Sequence, residues 1–147
     1  MATHDISTLP NLAKVAKKLS TELNPGDIVI LEGDLGAGKT TFIKSLAAEL
    51  KVKSRVRSPS FTLFHEYKSS DKTSPIQYLI HADAYRIDSP AAWHDIGLTE
   101  WFDRTDAVVC IEWGEKLVSL LGGKKFWHLK FNLSDSGERT VTIKEPT

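Results

Sequence analysis

With 147 residues, 41% apolar and 26% charged, the chain has the size and composition of one globular domain around a single core. Its 19 basic and 19 acidic residues cancel, which excludes an overall field drawing it to nucleic acid or anionic lipid and leaves only local patches. The lone cysteine, Cys110, rules out an internal disulfide and fits a reducing cytoplasm. The N-terminus lacks a basic and then apolar leader, and the longest apolar runs are strand-sized against the ~20 residues a bilayer requires, so neither signal peptide nor membrane span is expected.

Leu12, Val15, Ala16, Leu19 and Leu23 recur at helical spacing with Lys14, Lys17 and Lys18 opposite, and Pro10 suits the first turn of that helix. Asn24 to Asp27 reads as a turn, and Ile28 to Leu31 is a short β-branched run of the kind found in buried parallel strands. Ile43, Leu46, Ala47 and Leu50 mark a second helix. Residues 60–67 and 76–81 are predicted strands joined by a polar loop over 68–74. Residues 91–102 read as short helical pieces, and 107–111 as a further buried strand. Trp127, Leu129, Phe131 and Leu133 alternate with polar residues, and after a turn over 134–138 Val141 and Ile143 alternate again, giving a C-terminal hairpin. The fold expected is α/β: a single domain over 1–147 with a mixed sheet flanked by helices, made P-loop NTPase-like by the Gly33-x-x-x-x-Gly38-Lys39-Thr40 loop between the first strand and the second helix.

Between the first strand and the second helix, Gly33 to Thr40 read Gly-Asp-Leu-Gly-Ala-Gly-Lys-Thr, the Walker A pattern. Glycines let the backbone curl so that successive N–H groups face phosphate oxygens, and the following helix adds its positive end. Lys39 is expected to reach the β- and γ-phosphates, and the Thr40 hydroxyl to ligate Mg²⁺. Such a site also needs a carboxylate at a strand end. Two segments offer one: Val108 to Glu112, a pure apolar run ending in an acid, and Tyr78 to Asp83. Glu112 is favoured as the metal ligand, leaving Asp83 to hold a metal-bound water or orient the attacking one.

His81 is read as structural, because no second His or Cys stands at ligand spacing. The basic stretch from Lys51 to Arg57 is read as a solvated loop rather than a nucleic-acid or acidic-partner surface. Of the tryptophans at 93, 101, 113 and 127, read as core or interface residues, Trp113 differs in adjoining Glu112. No Asp-x-x-Gly follows the phosphate loop and no Asn/Thr-Lys-x-Asp occurs, which disfavours a guanine-specific switch. The five arginines, at 55, 57, 86, 104 and 139, are few for a kinase lid.

The series Gly33 to Phe42, Ser58-Pro-Ser-Phe-Thr62, His81-Ala-Asp-Ala-Tyr-Arg86, Gly97-Leu-Thr-Glu100 and Ile111-Glu-Trp113 resembles the TsaE (YjeE) family, P-loop ATPases of bacterial tRNA threonylcarbamoyladenosine synthesis. The motifs keep the family's order and spacing from the first helix to the final hairpin. The resemblance implies that Gly36, Ala37, Gly38, Lys39, Thr40 and Thr41 wrap the phosphates of ATP and that Thr40 and Glu112 bind Mg²⁺. It further implies that Asp83 serves hydrolysis, that Arg139 touches the nucleotide, and that Ser7 and Thr8 lie near the base. The family usually carries threonine where Ser60 stands, and Arg139 sits in Gly-x-Arg rather than Gly-Arg. By the same resemblance the protein would bind the complex of TsaD and TsaB, meeting tRNA indirectly, and its ATP hydrolysis would support modification of adenosine 37 in tRNAs reading ANN codons. A small nucleoside or metabolite kinase, and a nucleotide-gated module without turnover, remain as alternatives.

Overall fold

The computed structural model of the chain describes residues 1–59, 64–85, 89, 91, 92 and 97–147. Seven strands form one sheet in the order β1-β7-β6-β2-β5-β4-β3. They are β1 (Ala2–Asp5), β2 (Ile28–Glu32), β3 (Phe64–Lys68), β4 (Tyr78–Asp83), β5 (Ala107–Glu112), β6 (Trp127–Leu133) and β7 (Arg139–Lys144). The centre is parallel, β6·β2, β2·β5 and β5·β4, and both margins are antiparallel. The mixed sheet and the hairpin of β6 and β7 are therefore as expected from the sequence.

Parity along the central strands sorts the core into two layers. On one face Val29 and Leu31 of β2 join Val108 and Cys110 of β5 beneath helices α1 (Leu9–Glu22) and α2 (Lys39–Glu49). On the other, Ile28 and Ile30 join Ala107, Val109 and Ile111 beneath α3 (Leu98–Phe102) and a 3₁₀ helix, Gly114–Leu121. Both faces are covered, which is why these strands read as unbroken apolar runs rather than alternating ones. α1 begins as its sequence dictates: Thr8 Oγ1 accepts the Asn11 N–H at 3.3 Å, Pro10 occupies the first turn, and Leu12, Ala16 and Leu19 are buried.

Some boundaries differ from the sequence reading. The strand expected over 60–67 is described from Phe64 and runs to Lys68, with 60–63 outside the described residues. The strand expected over 76–81 begins at Tyr78 and continues to Asp83, because a Ser74 Oγ turn to the Ile76 N–H and hydrogen bonds from the Gln77 and Tyr78 amides to the Asp106 carbonyl precede the ladder. Edge strand β1 and the 3₁₀ helix had no periodic signal long enough to be read. The basic stretch is a solvated loop, exposed at Lys51, Lys53, Arg55 and Arg57.

Cys110 is fully buried, and burial, reinforced by the nearby Glu112 carboxylate, pushes its thiol far above the ordinary range. Leu46 of α2 is likewise closed from solvent, whereas Lys44 on the same helix is exposed. Leu46→Ala should cost about 2–5 kcal/mol, from lost transfer energy plus a residual cavity, and Lys44→Ala should stay within about 0.5 kcal/mol. Urea midpoints at unchanged slope check the pair.

Candidate functional site

The loop between β2 and α2 owes its path to glycine. Gly33 has φ 151°, and a Cβ there would stand 2.7 Å from the Phe131 carbonyl oxygen, so no side chain fits where the loop leaves β2. Gly38, at φ 109°, turns the chain into α2, whose N-terminus has no side-chain cap. The first-turn amides thus face a cavity of about 490 Å³. An uncapped helix start behind a curled loop is an anion site.

Two polar side chains, Asp83 and Glu112, reach this cavity from the strands by the same parity that built the core, and a third, His81, stands on the same face outside the lining. Leu79, His81 and Asp83 of β4 alternate toward the α2 face, as do Val108, Cys110 and Glu112 of β5. In the parallel register Asp83 stands beside Glu112. Glu112 is only 4% exposed, and both its oxygens accept the Thr40 hydroxyl, at 2.9 and 3.1 Å. His81, 0% exposed, places Nε2 2.6 Å from Glu112 Oε2. A hydroxyl and a carboxylate converging at a loop–helix junction are the hard oxygen donors that Mg²⁺ takes, so these residues fit the metal the family resemblance implies.

Lys39 donates through Nζ to the Gly33 carbonyl and lies 3.7 Å from the centroid of the Trp113 ring. Burial lowers its pKa, opposed by the carboxylates of Glu112, Glu115, Asp83 and Asp34. Burial also raises the Asp83 carboxyl, against the Tyr85 N–H that donates to its Oδ1 at 2.9 Å. Glu115 is raised by burial as well, and one of its oxygens is buried with no partner among the described residues.

At the far side of the cavity the N- and C-terminal segments meet. The Arg139 N–H donates to Ser7 Oγ at 3.0 Å, the Ile6 N–H donates to the Arg139 carbonyl at 2.9 Å, and Arg139 Nε donates to the Gly36 carbonyl at 3.0 Å. Arg139 therefore braces the phosphate loop itself. Ser7, Thr8, Gly36, Gly38, Lys39, Thr40, Thr41, Asp83, Glu112 and Arg139 all line the one cavity. Ala37 does not; it is wholly buried beneath the loop. Ser60 lies outside the described residues.

Sequence reasoning missed Tyr85, Leu9 and Leu35, which also line the cavity. Leu9 and Leu35 are 69% and 70% exposed at its mouth, and Tyr85 stacks on Trp113 with ring centroids 5.0 Å apart. An exposed leucine at a helix start or in a polar loop carries no periodic signal, and only the tyrosine's place two residues after Asp83 pointed to the site. No group of three or more His, Cys, Asp or Glu side chains able to hold a metal occurs among the described residues. No described helix is long and apolar enough to cross a membrane.

Comparison with known proteins points one way. The family model described as "Threonylcarbamoyl adenosine biosynthesis protein TsaE" matches residues 6–141. The tRNA threonylcarbamoyladenosine biosynthesis protein TsaE of Bacillus subtilis is 36% identical over 129 residues, 88% of this chain and 76% of its own. That of Aquifex aeolicus is 41% identical over 105 residues, covering 70% and 69%. That of Rickettsia typhi is 32% identical over 143, covering 97% and 94%. Among solved structures, the crystal structure of Bacillus subtilis YdiB superposes with a TM-score of 0.79 and 29% identity, covering 99% of this chain and 86% of that one.

The raised Asp83 carboxyl gives a stability test. The folded protein holds that proton to higher pH than the unfolded chain does, so stability falls as pH rises from the ordinary aspartate value through the folded one, and the penalty is complete above the folded one. Asp83→Asn removes the charge and keeps an acceptor for Tyr85. The unliganded variant should melt above wild type at pH 7, and the gain should vanish below pH ~4, where aspartate is protonated in both states. Melting curves across that range check the sign.

Proposed function

The chain belongs to the TsaE family of tRNA threonylcarbamoyladenosine biosynthesis proteins, and we propose that within that pathway it is a cytoplasmic, Mg²⁺-dependent ATPase, slow alone and stimulated by a complex of TsaB and TsaD. Contact with tRNA is then indirect, and the modified base is adenosine 37 of tRNAs reading ANN codons. One observation carries the ATPase reading: the Thr40 hydroxyl and the Glu112 carboxylate share hydrogen bonds inside the cavity that Lys39 and the amides of α2 also face. The family match supports this reading over a small-molecule kinase.

In this reading each residue has a separate task. The first-turn amides of α2 and Lys39 take the phosphates, the lysine exchanging the Gly33 carbonyl for phosphate oxygen. Thr40 and Glu112 hold Mg²⁺, which neutralises charge on the phosphates when bound. Asp83, beside Glu112 and set back by burial, orients the attacking water. Arg139 keeps the Gly36 peptide in place, and Ser7 and Thr8 border the space left for the base. Ser60 is proposed to approach the γ-phosphate from the segment that follows Ser58.

Phosphoryl transfer depends mainly on positioning and on stabilising phosphate charge, and an arginine supplied by a partner contributes about 10³–10⁵ in rate. That is the reason for expecting slow turnover alone. Among the described residues, the arginine nearest the phosphate loop is Arg139, already committed to the Gly36 carbonyl.

Lys39→Ala should abolish the thermal stabilisation that Mg-ATP gives wild type, about 2.7 kcal/mol at a hundredfold excess over Kd. Equal shifts in both proteins would remove the phosphate-loop assignment. Glu112→Gln should keep nucleotide binding and blunt its magnesium dependence, while Asp83→Asn should slow hydrolysis with the magnesium titration nearly unchanged; the opposite pattern means the two acids are exchanged. Single-turnover ATP cleavage, alone and with saturating TsaB–TsaD, tests the partner requirement. Fast cleavage by the lone protein would overturn it, and phosphate on a small-molecule acceptor would restore the kinase.

A further inference from the structure

His81 lies outside the cavity lining and is closed to solvent, so it cannot meet nucleotide or water directly. Among the described residues its side chain has one polar contact, with Glu112. An ionised carboxylate only accepts hydrogen bonds, so the ring nitrogen facing it, Nε2, must carry the hydrogen. Nδ1 then presents a lone pair, and it has no partner among the described residues. Among the described residues the imidazole thus makes a single directed bond, 2.6 Å long, at the short limit for an N–H donor.

Glu112 has two side-chain partners among the described residues, Thr40 and His81. Thr40 belongs to the loop–helix junction that must itself turn toward a ligand. His81 stands on β4, one parallel ladder from Glu112, where register pairs it with Cys110 and Asp83 with Glu112. It is the partner held within the sheet, whereas Thr40 lies in the first turn of α2. A glutamate side chain rotates about three bonds, and one whose carboxylate is already held loses less freedom on taking a cation.

We propose that His81 is a positioning residue: its Nε2–H fixes the Glu112 carboxylate in the orientation that receives Mg²⁺, and thereby sets magnesium affinity without touching nucleotide. The inference rests on the reading of Glu112 as the metal ligand. Hydrogen-bond partners behind a ligating side chain typically contribute 10–100-fold in metal affinity.

The test measures ATP affinity by calorimetry, in EDTA and across a magnesium series, on unreacted protein. His81→Leu keeps much of the volume and removes the donor; His81→Gln restores an N–H of similar reach. His81→Leu should raise the Mg²⁺ concentration at half effect roughly 10- to 100-fold, with ATP affinity in EDTA unchanged. His81→Gln should recover most of the loss, and His81→Leu should add nothing in a Glu112→Gln background. If the leucine variant melts too low to titrate, His81→Asn, whose amide stops one methylene short, is compared with His81→Gln, and the same split is expected. A shift in Glu112→Gln but not in His81→Leu overturns the positioning role and leaves the metal ligand standing. Loss of ATP affinity in EDTA as well would make His81 a general packing residue. No magnesium shift in Glu112→Gln would overturn the ligand reading and this inference with it.

Discussion

A parallel ladder between β5, buried throughout, and β4, buried except at its two ends, is the constraint from which the rest of the site follows. β4 and β5 run together in a register that sets Asp83 against Glu112, and their two-residue period commits His81, Asp83 and Glu112 to the face covered by α2. A slip of one residue in either strand would send its acids to the opposite face, beneath the 3₁₀ helix, and put isoleucine or alanine under the phosphate loop. The apolar residues flanking each acid therefore do more than fill the core. Leu79, Val108 and Cys110, buried under α2, fix the register that aims the carboxylates.

How much of this was legible follows from distance along the chain. The phosphate loop is local: glycine spacing, the strand before it and the helix after it lie within a single stretch, so its conformation was readable. The acids at 83 and 112 were readable as strand ends, since an apolar run that terminates in a carboxylate has a local signature. Their adjacency was not, because strand order is set by packing across the whole sheet. Ser7 and Arg139 were placed by family resemblance alone; their contact spans 132 residues and depends on β1 closing the edge beside β7. His81 was read as structural and is buried, yet its partner is the site's own carboxylate. A histidine inside an apolar strand carries no sign of what faces it across a ladder.

Trp113 shows the same limit. Its position after Glu112 suggested proximity to the site, but its role depends on backbone shape. At φ 59° it leaves the strand in a left-handed turn, its N–H bound to the Leu31 carbonyl at 2.8 Å, and the indole swings under Lys39. Tyr85 packs on the same ring in a tilted stack. The aromatic face thus meets the lysine ammonium itself, a cation–π contact beside its bond to the Gly33 carbonyl.

Charge balance around that lysine bears on the proposed need for a divalent cation. Four carboxylates, from Glu112, Glu115, Asp83 and Asp34, act on one buried ammonium. Two of the four, Asp83 and Glu115, are already held above their ordinary pKa by burial, with Glu112 adding to the first and Glu32 to the second. A polyphosphate entering alone would bring further negative charge into a site that already has an excess, opposed by Lys39 and the amide dipoles of α2. Pairwise repulsion at such distances is weakly screened where water is scarce. With a divalent cation held by Glu112, the same entry would join opposite charges instead. On the proposed reading, the arrangement that penalises the empty protein would also discriminate between free nucleotide and its metal complex, and that discrimination would rest on a carboxylate held in place before either arrives.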